Sequence, residues 1–232
     1  MAPDPTNPAV SLAEPAAAIP RVKPRLRGIS HLLALLTFVP LVLWLMSVAR
    51  GGPVAQGAAV YGASIVLMFA TSSVYHCFHW AEPVRAVLGR IDHSAIFLLI
   101  AGTFTPFGLR IGTAGGQVAL AALWTGALIG IYLVVRPQSV GKRLRSAIYV
   151  GLGWVIVPLI PSLYATLGAR SLLLLFGGGL LYTLGAIVYA TRRPDPFPRT
   201  FGFHEIFHLL VIAAAVCHFA AVLALARAAS HH

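Results

Sequence analysis

Charge is what this chain has least of. Only 10% of its 232 residues are charged, with six acidic side chains against 17 basic ones, where a soluble domain carries about a quarter. That shortage, together with 58% hydrophobic residues and a mean hydropathy of +0.84, argues against a water-soluble fold. Cysteine is scarce too, which excludes a disulfide-stapled scaffold. Cys77 adjoins His76, whereas Cys217 lies about 13 Å further along its own helix than His208, so the two are read as free thiols. No basic residue occurs among the first 20, so the N-terminus lacks the charged start of a signal peptide. The net charge of +11 sits in short clusters between apolar runs rather than in one stripe, which argues against nucleic acid as a partner.

What is present is apolar sequence in repeated runs. A hydrocarbon core about 30 Å thick needs roughly 20 residues of helix at 1.5 Å rise, and the runs at about 29–49, 54–79, 91–110, 116–135, 146–166, 171–191 and 204–226 each suffice. The expectation is an all-α bundle of seven transmembrane helices, with six as the competing count because only Leu167-Gly168-Ala169-Arg170 separates the fifth and sixth runs. Residues 1–27, with Pro3, Pro5, Pro8, Pro15 and Pro20, read as a disordered cytoplasmic tail, 28–227 as the membrane domain and 228–232 as a C-terminal stub. The last two histidines are left out of any site because they resemble the remnant of a tag.

Lysine and arginine orient the bundle. Arg21, Lys23, Arg25 and Arg27 precede the first run, Arg85 and Arg90 follow the second, and Arg136, Lys142, Arg143 and Arg145 follow the fourth. Arg192, Arg193 and Arg199 follow the sixth, which leaves Arg50, Arg110, Arg170 and Arg227 for the opposite face. The positive-inside bias then puts the N-terminus in the cytoplasm and, with seven crossings, the C-terminus outside. Pro40, Pro106, Pro158 and Pro161 fall inside runs and are expected to kink them. Gly177, Gly178, Gly179 and Gly185 read as small surfaces for close helix contact.

Ionisable side chains at membrane depth are costly and therefore mark sites. The second run ends with Ser72 and His76, the third opens with Asp92, and the seventh opens with His204 and His208; the orientation fixed by Lys and Arg alone brings all of them to the cytoplasmic side. Residues four apart share one helix face about 6 Å apart, so His204 and His208 can chelate one ion. His76 supplies a third imidazole, and three histidines with one open position form a Zn²⁺ site. Asp92 is then either a direct ligand or the acceptor that holds a water. His79 and His93 read as solvated near the interface and His31 as a hydrogen-bonded packing residue. His218, about 21 Å beyond His204, cannot share the ion and is expected to line a cavity.

The segments from Ser72 to His76, from Asp92 to Pro106 and from His204 to His208, with His218, resemble the haemolysin III family, the bacterial branch of the progestin and adipoQ receptor group that includes the adiponectin receptors. The resemblance implies seven helices with a cytoplasmic N-terminus, zinc bound by His76, His204 and His208, a water held on the metal by Asp92, and Ser72 as the family serine. It also places the chain in a bacterial inner membrane. The family is similar in turn to alkaline ceramidases, which suggests a zinc-dependent hydrolase of lipid amides or esters, with Asp92 as base, Ser72 orienting the water or stabilising the oxyanion, and membrane acyl lipids as partners. A lipid sensor in which zinc is structural is the alternative, and a cytolysin, suggested by the family name, the third. A retinal protein is excluded because the seventh run holds no lysine.

Overall fold

The computed structural model describes residues 23–136, 138 and 140–229. Residues 1–22 of the expected tail (1–27) and 230–232 of the expected stub (228–232) lie outside the described residues. The chain forms α1 (Ile29–Val48), α2 (Gly52–Cys77), α3 (Glu82–Ile111), α4 (Ala114–Val135), α5 (Lys142–Gly153), a 3₁₀ segment (Trp154–Leu159), α6 (Ile160–Thr191) and α7 (Phe203–Ala229). Among the described residues the only β pairing is one isolated bridge between Phe197 and Phe201.

The element boundaries follow local chemistry. Pro53 and Pro83 sit in the first turns of α2 and α3, where the missing N–H costs nothing. Gly112, at φ 64°, ends α3 in the left-handed conformation, and the Thr113 hydroxyl caps α4 by accepting from the Gly116 N–H at 3.3 Å. α3 begins at Glu82, not at the expected Ile91, so Asp92 lies about 15 Å inside the helix rather than at its opening. The reason is that Glu82-Pro83 starts a helix before the chain becomes apolar, and the extra turns carry Arg85 and Arg90.

Among the described residues, six helical stretches are long and apolar enough to cross a membrane: α1, α2, α3, α4, Lys142–Thr191 and α7. The fifth and sixth expected runs thus fall in one stretch of 50 residues, about 75 Å if it were straight. It is not straight. Gly168 has φ 71° and ψ 170°, which breaks the helix. Trp154 Nε1 donates to the Thr183 hydroxyl at 3.0 Å, and Arg145 Nη2 lies 3.5 Å from the Tyr189 hydroxyl. Both pairings straddle Gly168, so the residues before it run antiparallel to those after it.

Helices in lipid gain little from hydrophobic burial against one another, and close packing through small residues takes its place. Gly57 lies against the Pro106 backbone, Gly130 against the Phe97 ring and Gly178 against the His218 ring; a methyl group at any of them would overlap its neighbour. α2 packs on α3 and α6 on α7, around a core that includes Phe38, Tyr61, Phe69, Phe97 and Phe107. The outward faces are apolar, as Leu33, Leu43, Val118 and Leu173 illustrate, and suit lipid rather than water.

Candidate metal centre

Two helices deliver the three predicted histidines to one point. His76 is on the last turn of α2, and His204 and His208 lie one turn apart at the start of α7; their candidate ligand nitrogens are all within 4.8 Å of one another, and all three residues are buried. His204 Nε2 faces His76 Nε2 at 3.3 Å. A tetrahedral ion with bonds of about 2.0–2.1 Å to nitrogen has edges of about 3.3–3.4 Å, so that spacing fits Zn²⁺. The donor chemistry fits too: magnesium and calcium prefer oxygen, whereas neutral imidazoles suit zinc.

Asp92 and Ser72 complete the polar cluster. Asp92 Oδ2 is 3.8 Å from His76 Nε2, and Ser72 Oγ is 2.7 Å from His31 Nδ1. His31, read from the sequence as a hydrogen-bonded packing residue, is one, and it packs on the cluster itself: its ring stacks on His208 with centroids 3.7 Å apart and planes 11° from parallel. The signal for its place beside the cluster was present in the sequence, since His31 lies near the start of the first apolar run, the end that alternation of the runs groups with the other ionisable residues.

His93 corrects another expectation. It is not solvated. It is half-buried, donates from Nδ1 to the Gly89 carbonyl, and therefore accepts at Nε2 from Arg145 Nη2 at 3.2 Å. The Tyr189 hydroxyl lies 3.4 Å from the same nitrogen, and the Tyr149 hydroxyl donates to the His93 carbonyl at 2.7 Å. Arg145, Tyr149 and Tyr189 were missed because the sequence used Arg145 only for orientation and offered no spacing that ties these residues to Asp92. His79 is exposed, as expected. Cys77 and Cys217 are free.

His218 stands apart from the cluster, buried, with Nε2 donating to the Leu175 carbonyl at 2.9 Å. It lines the same cavity as the histidine cluster, a space of about 150 Å³ whose walls between the two are chiefly apolar, among them Leu99, Phe104, Phe176 and Val211. Along α3 the lining runs from Asp92 to Phe104, about 18 Å of helix. The cavity is thus long, narrow, polar at the cluster and greasy beyond it.

The tail expectation is corrected at its inner end: Lys23, Arg25, Leu26 and Arg27 are bound to the bundle. Arg27 Nε forms an ion pair with Glu205 Oε1 at 2.5 Å, and Lys23 Nζ donates to the Phe78 carbonyl at 2.9 Å. A polar tail sequence carries no pattern that reveals such a contact, because both partners depend on which helix ends the fold brings together.

Comparison with known proteins agrees with this architecture. The family described as Haemolysin-III related matches residues 20–219. The chain is 34% identical over 194 residues to Hemolysin-3 of Bacillus cereus, covering 82% of this chain and 85% of that protein. It is 32% identical over 201 residues to the Hemolysin-3 homolog of Bacillus subtilis (strain 168), covering 84% and 91%. The adiponectin receptor protein of Drosophila melanogaster is 29% identical over 211 residues, covering 82% of this chain and 48% of the receptor. A bundle of apolar helices with this match along most of its length is an integral membrane protein, and the chain belongs to the haemolysin III-related family.

Proposed function

We propose that this protein is a zinc-dependent hydrolase of acyl lipids, acting on an amide or ester within the bilayer. The observation that carries the reading is that His76, His204, His208, Asp92 and Ser72 form the polar end of an otherwise apolar cavity. A zinc ion held by the three histidines would polarise the scissile carbonyl and make an attacking water more acidic. The Asp92 carboxylate takes the proton of that water and later returns it to the leaving group. The Ser72 hydroxyl, fixed by its bond to His31, orients the water or stabilises the developing oxyanion. The acyl chain occupies the narrow apolar tube toward His218. Arg145, buried and bonded to His93, supplies positive charge near Asp92 and favours an anionic product such as a carboxylate.

The same reading assigns seven crossings, with Lys142–Thr191 passing twice through its reversal at Gly168. Support comes from the antiparallel pairing across Gly168, and from basic residues that then fall on the N-terminal side of the membrane. The N-terminus is then cytoplasmic, the C-terminus outside, and the membrane a bacterial inner membrane. A pore-forming role, which the relatives' names evoke, draws no support from the helices, which carry no line of charge away from the one cluster.

The test is purified protein, with zinc counted per chain, offered ceramides and acyl esters while free fatty acid is measured. Release that depends on zinc and on Asp92 supports the hydrolase. No release from any amide or ester lipid, with zinc removal lowering the melting temperature, makes zinc structural and favours a membrane-lipid sensor.

A further inference from the structure

Residues 23–28 cross the histidine end of the bundle and touch both helices that carry the three histidines. Lys23 holds the Phe78 carbonyl just past the end of α2. The Arg25 and Leu26 N–H groups donate to the Arg199 and Thr200 carbonyls at 3.2 and 3.3 Å, in the segment that leads into α7. Arg27 pairs with Glu205, whose other oxygen accepts from the Gly202 N–H at 2.8 Å and so fixes the first turn of α7. Gly28 has φ +87°, and a methyl group there would lie 2.8 Å from His76 Cβ and 3.0 Å from the Cys77 nitrogen. Only glycine lets the backbone rest on the final turn of α2, directly against a ligand residue.

Arg27 brings a cation next to the ligand layer, because its partner Glu205 adjoins His204 in sequence and its neighbour Gly28 rests on His76; an unpaired cation there would oppose a metal ion. The carboxylate of Glu205 offsets that charge. What Arg27 supplies in exchange is the link to Glu205, which sits in sequence between the two ligands of α7.

We infer that residues 23–28 are a strap that retains the metal ion, with Arg27 and Glu205 as its positioning residues and Gly28 as its seat on α2. The inference rests on zinc occupying the histidine cluster but not on any reaction there. Release of the ion on this side requires the end of α2 and the start of α7 to separate, and the strap ties both to one short piece of chain.

The test is the rate at which zinc-loaded full-length protein, in detergent, loses zinc to an excess of a colorimetric chelator. Arg27→Gln and Glu205→Gln are each expected to speed release at least tenfold, the double variant no more than the faster single, and Arg27→Lys to fall between. Charge alone predicts the reverse for Arg27→Gln, since removing a cation would hold zinc longer. Release that is unchanged or slower in Arg27→Gln overturns the strap. So does equal acceleration in Thr113→Ala, a control that loosens the cap of α4 without touching the strap. Wild-type protein that takes up no zinc refutes the metal reading itself and the strap's role with it, a result distinct from zinc that binds and leaves at one rate in every variant.

Discussion

Replacing Asp92 by Asn separates the two jobs that a buried carboxylate beside three histidines can do. Asp92 is 8% exposed, and its Oδ2 lies 3.8 Å from His76 Nε2. The carboxamide is nearly the same size, so the cavity wall is preserved. It cannot take up a proton, and general-base assistance contributes about 10² to 10⁴ in rate, or about 3 to 5.5 kcal/mol of barrier. Zinc content should stay near one per chain because the three imidazoles are untouched. The melting temperature should hold or rise, since a neutral amide costs less to bury than a carboxylate. The assay is fatty-acid release by purified wild type and Asp92→Asn at matched zinc content. Full activity in Asp92→Asn refutes the base role. Loss of zinc together with activity instead makes Asp92 a direct ligand, the other option left by the sequence.

Elemental analysis should find about one zinc in the wild type and none in the His204→Ala, His208→Ala double variant; stoichiometric zinc in that variant would remove both residues from the site. Reporter fusions should place residue 1 in the cytoplasm and both Arg170 and the C-terminus outside, whereas two cytoplasmic ends would mean that Lys142–Thr191 does not cross twice. Gly57→Leu should destabilise the bundle by about 1 to 3 kcal/mol or more, because the new side chain meets the Pro106 backbone, which cannot yield as a side chain can; an unchanged melting temperature in detergent would show that α2 and α3 do not pack there.

The sequence by itself determined the membrane character, most helix extents and the grouping of the three histidines, and the physical reason is that each of these is local. About 20 apolar residues in a row report a crossing whatever they pack against, and the four-residue spacing of His204 and His208 fixes their common face before any tertiary contact forms. Depth was also legible, because the direction in which successive apolar runs alternate assigns each ionisable group to one end of the bundle, and that sufficed to bring His76 and Asp92 into the same layer as the start of α7.

Rotation about each helix axis was not legible, and the tertiary structure decided it. Whether His31 faced lipid, core or cluster depended on how α1 turns against α2 and α7, and the answer is a ring stacked on His208. His93 and Arg145 lie on helices that also meet elsewhere, as where the Phe97 and Tyr149 rings pack with centroids 4.5 Å apart, and no spacing within either helix encodes their meeting. The reversal at Gly168 depends on a left-handed backbone angle that glycine permits but does not require, so the sequence left six and seven crossings in competition. The ion pair of Arg27 with Glu205 joins residues 178 apart in sequence. It exists because the folded bundle places the start of α1 beside the start of α7, a proximity that arises only when the helices pack.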